Sequence, residues 1–235
     1  MITSKDNEQI KHILKLQTKK YRDQTESFVI YGDHTIKEAM KQGFDLEIFT
    51  SHPDHPGMLI SEALMKHVSL TETPMTDLAI VKKKEVLPYS NRILMLDDVQ
   101  DPGNVGTLIR SAVGFGFNTI IASNNSSDYY NDKTIRATQG NLFYANLIRT
   151  NLKDEIEALK KQGYTIFTTA LNSKAIDIKN IKVPEKCVLV LGNEGAGVSD
   201  DILKQSDYWV YIKTKDIESL NVAMAGSIIM YEWQV

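Results

Sequence analysis

Apolar positions along this chain fall into two kinds of run, one spaced for helices and one continuous, as buried strands require. Ile10, Ile13, Leu14 and Leu16 recur at helical spacing with lysines on the other faces, the pattern of an amphipathic helix. FVIYG (28–32) and LEIFT (46–50) predict short buried strands, and HTIKEAMKQG (34–43) between them predicts a helix closed by Gly43. SEALMKHVSL (61–70) and TPMTDLAIV (73–81) read as further helical material. The charged stretch KKKEVLPYSNR (82–92), which contains Pro88, reads as an interdomain linker. Residues 1–88 are thus expected to form a small α/β domain, and residues 89–235 a second, larger one.

From Arg92 onward the two patterns alternate. RILMLDD (92–98), NTIIAS (118–123), YTIFTTAL (164–171), CVLVLG (187–192) and YWVYIK (208–213) predict strands. VGTLIRSAVGFG (105–116), LKDEIEALKKQG (152–163), VSDDILKQ (198–205) and the apolar LNVAMAGSIIMYEW (220–233) predict helices. Such alternation means a mostly parallel sheet with helices on its faces. In sheets of this kind ligands bind beyond the carboxyl ends of the strands, so the loops after strands are where chemistry is expected.

Composition narrows the class. With 235 residues, 42% hydrophobic and 24% charged, the chain has the make-up of an ordinary globular protein. No apolar run approaches the roughly 18 residues of a membrane span, and MITSKDNEQIKHIL has no apolar signal core, so neither membrane insertion nor export is expected. A single cysteine, Cys187, excludes a disulfide framework and a thiolate metal cage. A cytoplasmic protein is the default. The net charge of −3 by itself counts against nucleic-acid binding, but residues 1–22 hold Lys5, Lys11, Lys15, Lys19, Lys20 and Arg22 against only Asp6 and Glu8. That segment is either a basic helical arm able to dock on phosphates or simply a solvated helix face.

Three loops stand out. In DDVQDPGNVGTLIRSA (97–112), Pro102-Gly103 forces a turn after a strand, Asn104 stands near a helix N-terminus, and Arg110 follows on the same helix. In LGNEGAGVSD (191–200), Gly192, Gly195 and Gly197 surround Glu194. Their G-x-x-G-x-G spacing and late position differ from the G-x-G-x-x-G of a nicotinamide site. In IKTKDIESLNVAMAGSIIMYEW (212–233), Ser219-Leu220-Asn221 opens an apolar helix in which Ala223, Ala225, Gly226 and Ser227 suit a close helix contact. Each loop alone has a plainer explanation: Asn104 as a cap, Arg110 as a surface charge, Glu194 as an acid at a helix N-terminus, Ser219 as an N-cap.

Their order and spacing together carry more. P-G-N-V-G-T-L-I-R-S-A, L-G-N-E-G-A-G-V and E-S-L-N-V-A-M-A resemble the three signature motifs of the SpoU (TrmH) family of RNA 2′-O-ribose methyltransferases, within the SPOUT superfamily. The N-terminal unit is similar to that family's accessory RNA-binding domain, which resembles a small ribosomal protein. The resemblance implies a parallel-sheet methyltransferase domain with a C-terminal trefoil knot, S-adenosylmethionine as cofactor, and a homodimer. It carries cofactor contacts onto Gly192, Ile212 and Leu220, and catalytic roles onto Asn104, Arg110, Glu194, Ser219 and Asn221. It implies an RNA substrate, ribosomal rather than transfer RNA, and neither metal nor membrane; His52-x-x-His55 is expected to be a loop feature.

The chemistry suits these residues. Methyl transfer to a ribose hydroxyl needs that hydroxyl positioned and relieved of its proton. All five histidines (His12, His34, His52, His55, His67) precede residue 70, so the larger domain has no histidine base. Guanidinium groups deprotonate only above about pH 12, which points Arg110 to positioning and electrostatic help. Two departures from the family pattern are visible. The loop Ile212-Lys213-Thr214-Lys215-Asp216 lacks the usual proline and glycine and is one residue short, and RATQGNLFYANL (136–147) has Thr138 where the family has serine after Arg136. The alternative is a catalytically silent RNA-binding or ribosome-assembly protein of the same fold.

Overall fold

A computed structural model of the chain describes residues 1–70, 73–217 and 219–234. In chain order its elements are α1 (Glu8–Leu16), α2 (Lys19–Thr25), β1 (Ser27–Tyr31), α3 (Asp33–Lys41), β2 (Leu46–Thr50), β3 (Met58–Leu59), α4 (Glu62–Val68) and β4 (Asp77–Lys82). There follow β5 (Arg92–Asp97), α5 (Pro102–Gly114), β6 (Thr119–Ala122), α6 (Asp132–Thr138), β7 (Asn146–Arg149), α7 (Leu152–Lys161) and β8 (Thr165–Thr169). The last are β9 (Ile176–Asp177), β10 (Cys187–Gly192), α8 (Asp200–Gln205), β11 (Tyr208–Tyr211) and α9 (Val222–Glu232). They form two compact units, one of Met1–Glu85 with Tyr130–Phe143, the other of Val86–Tyr129 with Tyr144–Val235.

In the first unit the sheet runs β1-β4-β2-β3, with β4 antiparallel to both β1 and β2. Helices α1 and α4 bury Ile10, Ile13, Leu16, Leu64 and Val68 against Val29, Phe49 and Leu78 of this sheet. The stretch Thr73–Val81, expected to be helical, instead supplies the central strand β4, buried along all but its last residue. A continuous Leu-Ala-Ile-Val run fits a helix turn or a buried strand equally, and pairing on both sides decides for the strand.

Residues 1–22 are not a free arm, because α1 is a core element and Arg22 is itself buried. The Arg22 guanidinium donates to the Leu16 carbonyl at 2.9 Å, satisfying an acceptor at the end of α1 that would otherwise be lost from water. The unit also takes in a stretch from between β6 and β7. Tyr130 and Phe143 set their rings 4.6 and 6.5 Å from that of Phe28, and Phe143 meets Phe44 edge-on at 5.0 Å. Gly140 follows α6 in the left-handed region, with φ +84°, and a Cβ there would lie 2.8 Å from Glu38 Cγ.

The second unit holds seven strands in the order β7-β6-β5-β10-β8-β11-β9, all pairs parallel. Strands covered on both faces need apolar side chains on both, and β10 (CVLVLG) is buried throughout. From β5 the chain first moves outward through β6 and β7, and only later returns to lay β10 on the other side of β5. That reversal places a topological switch point between β5 and β10, the position of the ligand crevice in sheets of this kind. The last ladder pair, Gly192 beside Asp97, marks its floor.

Candidate active site

Three loops meet at this crevice. After β5, Asp101 caps α5: its carboxylate accepts from the Asn104 N–H at 2.8 Å, with Pro102 in the first turn. The capping role considered for Asn104 therefore falls to Asp101, and the Asn104 side chain is free for other bonds. Its amide Nδ2 donates to Glu194 Oε1 at 2.9 Å, and its Oδ1 accepts from Asn221 Nδ2 at 3.1 Å. One side chain thus joins all three motif loops.

Glu194 does not cap the helix that follows it. Its carboxylate takes backbone N–H bonds from Gln100 at 3.2 Å and Asp101 at 3.1 Å, at the start of α5. Burial alone would raise this carboxyl's pKa, but the Asn104 amide and the backbone N–H groups outweigh it and hold Glu194 below the usual value of 4.5. A charge fixed at a helix N-terminus is also favoured by the helix dipole.

The loop after β10 turns back on itself. Asn193 and Gly197 exchange backbone hydrogen bonds at 2.9 Å, and Asn193 Oδ1 accepts from the N–H groups of Gly195 and Ala196. A Cβ on Gly192 would lie 2.2 Å from the Gly197 carbonyl carbon and the Val198 nitrogen, so only glycine fits. On the third loop, Asn221, rather than the expected Ser219, is the N-cap of α9; its Oδ1 accepts from Ala223 and Met224 N–H. The run of small residues lets α9 lie close: a Cβ on Gly226 would meet Leu108 and Leu191 side-chain carbons at 2.5 Å, and Ser227 bonds Ser111 of α5 at 2.7 Å.

Of the eight residues singled out from sequence, Asn104, Glu194 and Asn221 are directly bonded, and Gly192 forms the turn beside them. Arg110 lies on α5 past Asn104, exposed and without a hydrogen bond or ion pair among the described residues. Ser219 is exposed, Leu220 and Ile212 are half-buried, and Ile212 follows β11, two strands from β10. Glu218 of the third motif lies outside the described residues.

A fourth loop went unread in the sequence. Asp98 holds φ +59° at the end of β5. Its carboxylate accepts from the Ser123 hydroxyl at 2.6 Å and its carbonyl from Asn193 Nδ2 at 3.0 Å. Arg149 fastens the same loop by donating to the carbonyls of Ser123, Asn124, Ser126 and Ser127. The cluster Ser123-Asn124-Asn125-Ser126-Ser127-Asp128 just after a strand was the available signal.

Comparison with known proteins bears on this geometry. Residues 91–231 match the model of the SpoU rRNA Methylase family, and residues 7–79 that of the MRM3-like substrate binding domain. The 23S rRNA (guanosine(2553)-2′-O)-methyltransferase RlmP of Bacillus subtilis is 36% identical over 98% of this chain and 97% of its own. The AdoMet-bound rRNA methyltransferase of Sinorhizobium meliloti superposes with a TM-score of 0.87 at 26% identity, over 98% of this chain and 95% of that one. The SpoU methyltransferase AviRb of Streptomyces viridochromogenes, with AdoMet, shares the fold at a TM-score of 0.84 and 22% identity, over 96% of each chain. Three motif loops joined at one crevice, a family model over more than half the chain and a full-length relative agree: the chain belongs to the SpoU rRNA Methylase family.

Proposed function

We infer that this protein transfers a methyl group from S-adenosylmethionine to a ribose 2′-hydroxyl of ribosomal RNA. The observation that carries the reading is the Glu194–Asn104–Asn221 chain of hydrogen bonds, which locks three loops together at the switch point of the sheet. The residues present fit the cofactor. Gly195 and Ala196, exposed beside the closed turn at Gly192, keep carbonyls that no described residue bonds, and Ile217, 54% exposed, offers an apolar side chain three residues before half-buried Leu220. Backbone polar groups beside apolar side chains suit an adenosyl moiety. Gly192, Ile212 and Leu220 would hold it.

When bound, the cofactor supplies an electrophilic methyl on a sulfonium, and the reading needs no metal. The chain's own part is orientation and charge. Glu194, held ionised, fixes which way the Asn104 amide faces: Nδ2 toward the carboxylate, Oδ1 toward Asn221. Asn104 and Asn221 then position the ribose, with Ser219 at the rim. Arg110, exposed and unpaired among the described residues, is the cation available to polarise the 2′-hydroxyl and stabilise the charge developing on its oxygen.

A homodimer is part of this reading. Met224, Ile228 and Tyr231 lie along one face of α9 and are 58%, 40% and 59% exposed, an apolar stripe beside α5 that a two-fold copy would cover. An Ile228→Asp variant is expected to sediment as a monomer. The family's trefoil knot in the C-terminal segment belongs to the same reading. Among the described residues no helix is long and apolar enough to cross a membrane, and we place the enzyme in the cytoplasm with its ribosomal substrate.

The test is transfer of radiolabelled methyl to RNA from a strain lacking this gene. Label in ribosomal RNA, reduced about 10²–10³-fold by Arg110→Ala, is expected. Cofactor binding without label in any RNA would overturn the reading in favour of a silent binder.

A further inference from the structure

The six cations of residues 1–22 are not equivalent once folded. Arg22 is buried on the Leu16 carbonyl. Lys11 is shared between Asp6 and Glu8, and Lys19 is paired with Asp23. Lys5, Lys15 and Lys20 are exposed and have no ion pair among the described residues. Two of these converge: Lys15 Nζ, from the end of α1, lies 5.7 Å from the ring centroid of Tyr21, and Lys20 Nζ lies 5.8 Å from the same ring. Elsewhere in this unit lysines near acids are neutralised, as Lys37 is by Asp33 and Lys83 by Asp23 and Glu26.

Two ammonium groups lie at one half-buried aromatic ring, and neither pairs with a carboxylate among the described residues, so an anion beside the ring would be drawn by both. The backbone that carries the ring is fixed, because the neighbouring Arg22 is buried and the Tyr21 carbonyl accepts from Thr25 Oγ1 at 2.8 Å. An aromatic ring flanked by exposed cations is the combination that takes a nucleic-acid backbone together with an unstacked base.

We propose that Lys15, Tyr21 and Lys20 form an RNA contact on the N-terminal unit, the lysines on successive phosphates and the Tyr21 ring against a base. The proposal rests on the reading that the substrate is RNA, and it replaces a diffuse basic arm with three side chains. Deleting residues 1–22 would not test it, since that removes the fully buried Ile10, Ile13 and Leu16.

The experiment measures binding of the full-length protein to deproteinised 23S rRNA across a salt series, with no transfer step. A Lys15→Gln/Lys20→Gln double variant is expected to flatten the slope of log affinity against log salt by about 1.4–1.8, the share of two phosphate contacts. Its affinity for S-adenosylmethionine and its kcat at saturating RNA should stay unchanged, and Lys15→Arg/Lys20→Arg should restore the slope. Tyr21→Leu, which keeps the apolar packing, should weaken binding about fivefold or more without altering the slope. Lys37→Gln, removing a paired lysine of the same unit, should change neither. Wild-type slope and affinity in the double variant would overturn the proposal while leaving methyl transfer intact. Absence of label with wild-type protein would instead remove the catalytic reading, and the binding series would still decide this one.

Discussion

The two units use their polar side chains in opposite ways. In the N-terminal unit several ion pairs are made within a helix turn: Lys37 with Asp33, Lys41 with Glu38, Arg136 with Asp132. At the crevice of the C-terminal unit the bonds span the chain, from Asn104 to Glu194 90 residues on and to Asn221 117 residues on. A local pair forms wherever its helix forms, and on a surface it contributes little. A bond between distant loops exists only when the whole sheet is in place, and each partner then orients the others. Chemistry that depends on orientation is therefore concentrated where contacts are long in sequence.

Substitutions on the two sides should differ accordingly. The largest effect is expected from Gly192→Ala, whose Cβ would be driven into the backbone of Gly197 and Val198. A loss of about 3 kcal/mol or more in denaturant unfolding, with cofactor binding abolished, is the outcome. Next comes Asn104→Ala, which strips Glu194 of its side-chain donor and Asn221 of its acceptor. Methyl transfer should fall about 10²-fold with the melting curve little moved. Asn104→Asp sharpens the point by setting two carboxylates together, and its residual activity should decline further as pH rises and both ionise.

Glu194 gives a smaller, pH-dependent signal. Its folded-state pKa lies below 4.5, so the ionised form stabilises the fold above that pH, and the contribution disappears as pH falls through the folded value. In unfolding series, the gap between wild type and Glu194→Gln should be constant near neutrality and close under acid. A gap that widened on acidification would contradict the bond geometry. Smallest of all is Lys37→Gln, expected to change stability by less than about 0.5 kcal/mol.

The same contrast governs what could be read from the sequence. The alternation of β5 through α9 was legible because buried parallel strands and amphipathic helices leave different periods. Asn104, Glu194 and Asn221 were legible only as members of ordered motifs, since nothing local says that one amide will bond both partners. The capping of α9 was read two residues early, at Ser219, because any small polar residue before an apolar run can cap and only the folded turn chooses among them. Strand β4 was misread because its Leu-Ala-Ile-Val run carries no period of its own. Asp98 and Arg149 escaped notice because their roles lie in backbone carbonyls and a left-handed residue, which side-chain patterns do not announce.

The aromatic packing of Tyr130 and Phe143 on Phe28 has a bearing on how such proteins can be recombined. The N-terminal unit is not a contiguous cassette, because part of its core is encoded between β6 and β7. A chimera that exchanges residues 1–85 alone would set Tyr130 and Phe143 against a foreign surface and leave the transplanted sheet short of two rings. Grafting a different recognition unit onto this catalytic sheet therefore calls for two coordinated crossovers, and the second lies within the region matched by the methylase model.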